Sequence, residues 1–174
     1  MARVPILEKT QIDGELRTTF EKMETRGNRV LNIFKVMAHC PDVGRDFLKL
    51  GNSLLFRGKL DSRLRELAIL RVGHLAQANY EWTQHVAVAK RVGVPETQIN
   101  AVPQWQDSDQ FTAAEQAILQ YTDEVADNIR VSDETFQKIK ALLTEEQIVE
   151  LTTVIGYYGM VSRILEALQV ELEG

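Results

Sequence analysis

Arg65-Glu66-Leu67-Ala68-Ile69-Leu70-Arg71-Val72-Gly73, followed by Asn79-Tyr80-Glu81-Trp82-Thr83-Gln84-His85, is the stretch whose periodicity decides the fold. Apolar residues recur at helical spacing in both segments, and Gln77-Ala78 joins them. The pattern predicts helices over 61–76 and 79–93, folded back as an antiparallel hairpin. Asp61 stands where it caps the first helix, and Gly93 where it closes the second. Glu66 shares a helical face with Ile69, Leu70 and Gly73. A carboxylate there is either desolvated and met by a partner from another element, or paired with Arg63 at i−3 on a solvated rim. His85 shares a stripe with Glu81, Trp82, Val88 and Ala89. On the chemical reading, Glu81 orients the imidazole or raises its pKa, and the histidine is ready for general acid–base work. On the structural reading, it is a core histidine satisfied by a backbone carbonyl.

Chain geometry bears on that choice. Glu66 lies about 11 residues before the joint and His85 about 8 after it, or about 16 and 12 Å from the turn at about 1.5 Å per residue. The difference is less than one helical turn. The spacing therefore predicts that the two side chains face each other across the seam.

The rest of the chain also reads as helix, with no runs of strict apolar–polar alternation, so the fold class is all-α. Further helices are expected over about 14–25, 29–39, 42–56, 95–101, 111–127, 132–141 and 144–172. Pro41 suits a first helical turn. Thr112 with Glu115, and Thr144 with Gln147, fit the reciprocal capping box. Pro103–Asp109 is the one clear loop, with Trp105 expected to anchor it. Leu60 to Leu67 with Gly73, and Leu143 to Leu151 with Gly156, are alike at an offset of about 83–84 residues. The expectation is one domain over 1–174 with its core motif at 30–100. A related second half over 111–172 stays open.

The 174 residues are 44% hydrophobic and 26% charged, enough for a core without metal or disulfide staples. A net charge of −5, with basic residues scattered among acids, argues against a nucleic-acid partner. The lone Cys40 allows no dithiol couple within the chain. No signal peptide and no membrane span are read, so the expected location is cytoplasmic.

The Arg65–Gly73 string, then Tyr80-Glu81-Trp82-x-x-His85 and Ala89-x-x-x-Gly93, resembles the carboxymuconolactone decarboxylase family, which includes alkylhydroperoxidase D. The resemblance covers about 30–100 well and the C-terminal half loosely. It implies a helical fold, self-association into a homotrimer or homohexamer, and, in the decarboxylase branch, a reaction without cofactor. In the peroxidase branch a Cys-x-x-Cys precedes the histidine, and a glutamate–histidine relay serves those thiols. Aligned with it, this chain has Ala78 and Glu81 at the cysteine positions. The decarboxylase branch also lacks the pair. By that resemblance His85, Glu66 and Glu81 are the catalytic candidates, and Tyr80, Trp82 and Arg71 the substrate-binding ones. The implied reaction is cofactor-free decarboxylation or proton transfer on a small carboxylated lactone or enolisable acid. A thiol-peroxidase (peroxiredoxin-type) antioxidant activity and a non-catalytic small-acid-binding oligomer are the alternatives.

Other residues carry weaker signals. Arg57, Arg63, Arg65 and Arg71 cluster about the Glu66 helix; Arg71 or Arg57 is the candidate to hold a substrate carboxylate, against a reading of the cluster as solvated surface arginines or subunit salt bridges. His74 sits beside the Glu66 face. His39-Cys40, or Glu81 and His85 with Glu66, would be soft or mixed metal donors without a zinc-type spacing. Tyr157 and Tyr158 are pocket candidates in an apolar run read as core or subunit interface.

Overall fold

The computed structural model describes residues 2–174. Its helices are α1 Gly14–Thr25, α2 Asn32–Met37, α3 Pro41–Phe56, α4 Ser62–Leu75, α5 Asn79–Arg91, α6 Glu96–Ala101, α7 Ala113–Asn128, α8 Asp133–Leu142 and α9 Glu145–Leu168. Short 3-10 turns lie at Lys9–Gln11 and Val102–Asp107, and no strand occurs among the described residues. The chain divides into two compact units, residues 57–164 and residues 1–56 with 165–174. Neither boundary falls at Pro103–Asp109.

In the 57–164 unit α4 is the central helix, packed against α5 and α7. Every residue from Arg65 to Gly73 is buried, so α4 is enclosed on all sides rather than amphipathic. Leu67 and Leu70 join Ala89 of α5, Ile99 of α6, Val102, Trp105, Phe111 and Leu119 of α7 in one apolar cluster. Asp61 caps α4 by accepting from the amides of Arg63 and Leu64. The α4–α5 turn closes by Ala78 N–H donating to Gly73 O at 2.9 Å. Gly93, at φ +91°, ends α5 in the left-handed region that favours glycine.

Both expected capping boxes form, at Thr112–Glu115 and Thr144–Gln147. Leu151, Val154, Ile155 and Tyr158 make the buried face of α9. By length and composition alone α9 would cross a membrane, but half of its apolar window is buried in the fold, as in a core helix. Glu150 matches Glu66 in the repeat alignment but has different work. It accepts from the Lys59 and Leu60 amides at 2.6 and 3.0 Å, and Gly58 leaves no room for a Cβ against it.

The 1–56 and 165–174 unit packs Ile12, Leu16 and Phe20 against Val30, Ala38 and Leu48. Two helices are shorter here than their apolar periods suggest. α9 stops at Leu168 because Gln169 turns left-handed and the amide of Val170 reaches back to Leu165 O. The freed tail then caps α2: Glu173 accepts from the Asn32 amide at 2.6 Å, and Asn32 Nδ2 donates to Glu171 O at 3.0 Å. That cap starts α2 at Asn32 rather than near 29.

α7 ends on Ile129, a β-branched residue at φ +64° that is 86% exposed. Little packing holds that strain. Ile129→Gly is expected to stabilise the fold by about 1 kcal/mol, after the entropy glycine adds to the unfolded chain. The expected rise in thermal midpoint is roughly 2–4 °C.

Candidate active site

The sequence brings a carboxylate and a histidine to the same level of the α4–α5 hairpin, and the structure joins them. His85 Nδ1 donates to Glu66 Oε2 at 2.7 Å. Glu81, one turn before His85 on α5, meets the other ring nitrogen, Nε2, at 3.0 Å. Both carboxylates therefore partner the histidine, and the backbone-carbonyl reading does not hold. Glu66 is fully buried, and its Oε1 accepts from Arg65 Nε at 3.3 Å. The rim pairing of Glu66 with Arg63 is overturned. Arg63 is turned to Gln98 and Glu115 instead.

Burial by itself would lower the pKa of His85. The hydrogen bonds and charges of Glu66 and Glu81 outweigh it and raise the pKa to about 9. An imidazole whose two nitrogens both face carboxylates is an imidazolium at neutral pH. With both lone pairs committed to protons, His85 is not a metal donor in this state. Together with Arg65 the cluster holds two cations and two anions, which balance.

Tyr158 of α9 packs edge-on to the His85 ring, with centroids 4.8 Å apart, and Tyr157 packs edge-on to Tyr158 at 5.2 Å. Burial, then the charge of Glu81, pushes both phenols above their ordinary range, so neither ionises near neutrality. Tyr158 is thus the aromatic wall beside the histidine.

The expected substrate-binding residues fare differently. Tyr80 is buried at the start of α5. Trp82 leans on the Leu67–Leu119 cluster, edge-on to His74 at 6.3 Å. Arg71 is not a member of the His85 cluster. Its guanidinium pairs with Asp123 through Nε and Nη2, at 2.5 and 3.1 Å. Its Nη1 donates to the carbonyls of Val102 and Pro103. Those partners saturate it, so it is a structural clamp. Its long-range partner Asp123, which decides this, carries no signal in the local pattern. His39 bonds to Pro5 O, and Cys40 is an exposed free thiol on the other unit. Among the described residues no group of side chains assembles as a metal site.

The site thus pairs a buried acid–base cluster with an all-helical scaffold, and known proteins share that scaffold. Residues 41–124 match the model of the carboxymuconolactone decarboxylase family. An uncharacterized protein, YdfG, of Bacillus subtilis (strain 168) is 25% identical over 110 residues, 62% of this chain and 75% of its own. The crystal structure of an alkylhydroperoxidase AhpD core, an uncharacterized peroxidase-related protein from Ralstonia eutropha JMP134, superposes with a TM-score of 0.86 at 20% identity, over 99% of this chain and 92% of that one. A Cys-to-Ala variant of the debrominase Bmp8, solved with 2,3,4-tribromopyrrole, gives 0.82 at 20% identity, over 100% and 92%. The fold is the alkylhydroperoxidase D-like one. Residues 41–124, the part similar to the carboxymuconolactone decarboxylase family, carry Glu66, Glu81 and His85.

Proposed function

We propose that the protein is a cofactor-free proton-transfer enzyme of the carboxymuconolactone decarboxylase type, acting on a small carboxylated lactone or enolisable acid. The observation that carries this reading is the buried Glu66–His85–Glu81 array, in which the histidine is held protonated. The lone cysteine, Cys40, is no part of that array, which leaves acid–base rather than dithiol chemistry as its natural use.

In such a reaction the scissile C–C bond breaks and CO₂ departs. The electron pair passes into the unsaturated ring as a dienolate, and a carbon of that ring takes a proton. His85 supplies it. Nδ1 is sealed against Glu66, so the proton leaves from Nε2, on the side of Glu81, the less enclosed carboxylate. Glu66 and Arg65 hold the ring in place while its charge changes, and solvent then reprotonates it. The Tyr158 wall lowers the hydration of a substrate carboxylate, which favours loss of CO₂.

CO₂ release from carboxylated butenolides, with deuterium exchange at the α-carbon of enolisable acids, tests this. His85→Gln is expected to lower the rate by about 10²–10⁴-fold with helical content intact. The wild-type rate should fall as pH rises through about 9, where His85 gives up its charge. Undiminished turnover by H85Q removes the histidine from the chemistry. Turnover of alkyl hydroperoxides in place of the acids would move the protein to the antioxidant class.

A further inference from the structure

An acid–base cluster acting on an anionic substrate needs a cation that still has hydrogen-bond donors to give. Arg71 is saturated by Asp123 and two carbonyls. Arg63 is turned to Gln98 and Glu115. Arg65 differs. It is only 7% exposed, yet among the described residues its guanidinium donates through Nε alone, to Glu66 Oε1. Its two Nη groups meet no acceptor there. Nor are they sealed, because among the described residues the buried side-chain nitrogens and oxygens without a partner are Arg63 Nε, Glu150 Oε1 and Ser162 Oγ.

We propose that the Nη fork of Arg65 binds the carboxylate of the substrate, beside the His85 acid. A planar fork of N–H donors matches two carboxylate oxygens, and in a mostly desolvated setting such a charge-assisted pair is strong. Glu66 bridges the two cations, giving one oxygen to Arg65 and the other to His85. A small molecule anchored on the fork therefore keeps its reacting carbon within reach of the imidazolium. Charge agrees with this. With Arg65 present the cluster is neutral and admits an anion. Without it, the two carboxylates outnumber the single imidazolium and repel one. The substrate class narrows to small acids whose anchoring carboxylate survives the step: enolisable acids that exchange a proton, or lactones with a carboxylate besides the one lost as CO₂.

This inference rests on the proton-transfer reading, and binding separates the two. Calorimetric titration with a carboxylated butenolide, and with its carboxamide, reads the anchor without turnover. Wild type should bind the acid at millimolar concentration or better, and the carboxamide about 10–100-fold more weakly. Arg65→Gln should lose about the same factor for the acid and little for the amide. Arg65→Lys keeps the charge and the Glu66 pair without the fork, and should recover part of the loss. It also serves if R65Q does not fold. H85Q also leaves the cluster one positive charge short, so it should bind the acid more weakly than wild type but keep the preference for acid over carboxamide that the fork confers. Equal affinity for acid and amide, wild-type affinity in R65Q, or no binding of the acid to wild type overturns the anchor. Full turnover by H85Q with binding still dependent on Arg65 would instead sink the proton-transfer reading and leave the anchor standing.

Discussion

Glu66→Ala is expected to destabilise the protein by about 3–5 kcal/mol, because it strips buried Arg65 of its carboxylate partner and leaves His85 with Glu81 alone. The carboxylate is fully buried, so water cannot take its place without opening the helix pair. Glu66→Gln removes the charge but keeps the shape, and should cost roughly 1–3 kcal/mol. Denaturant unfolding measures both. The same variants should lower the pKa of His85 from about 9, since burial then acts against one carboxylate instead of two. NMR titration of the imidazole Cε1–H reads that change directly. The sign for stability follows. A folded pKa above the unfolded value of 6.5 means the His85 contribution is fully present below pH 6.5 and is lost as pH rises through about 9. The contribution is on the order of 3 kcal/mol for the group in wild type. A wild-type unfolding free energy flat between pH 6.5 and 9, or a His85 pKa unmoved in E66Q, would remove the array from both stability and catalysis.

What the sequence makes legible here depends on how local the cause is. The facing of Glu66 and His85 follows from two helix registers and the position of the Gln77-Ala78 turn, all within about 20 residues. Rise per residue therefore suffices to anticipate it. The capping boxes at Thr112 and Thr144 are local in the same way. That both carboxylates hold the histidine at once is not local. It needs the depth of burial of α4, which comes from α7, whose contacts are made some 50 residues later in the chain. The exchange of Arg71 for Arg65 has the same origin. Both arginines lie on α4, and only Asp123 of α7 distinguishes the saturated one. The early end of α9 and the late start of α2 are likewise set by the tail from Gln169 to Gly174, which no helical period describes.

Asp123→Ala is the second large expected effect, and it separates architecture from chemistry. Asp123 accepts from Arg71 Nε and Nη2, from Trp105 Nε1 at 3.0 Å, and from Gln106 Nε2 at 3.2 Å. It thereby fastens the Val102–Asp107 turn to α4 and α7. Its loss strands the Arg71 guanidinium, which is 6% exposed, on two carbonyls with no counter-charge. Breaking a buried pair from one side typically costs about 3–5 kcal/mol. The thermal midpoint should fall by about 10 °C or more. The indole of Trp105 loses its acceptor, so its fluorescence should shift red before global unfolding. Asp123→Ala with Arg71→Met should be markedly less damaging than Asp123→Ala alone, because the orphaned charge is gone. The His85 titration should be unchanged in both, since neither Asp123 nor Arg71 touches the Glu66–His85–Glu81 array. Loss of acid binding in Arg71→Met at preserved stability would reverse the assignment, making Arg71 rather than Arg65 the substrate's counter-ion.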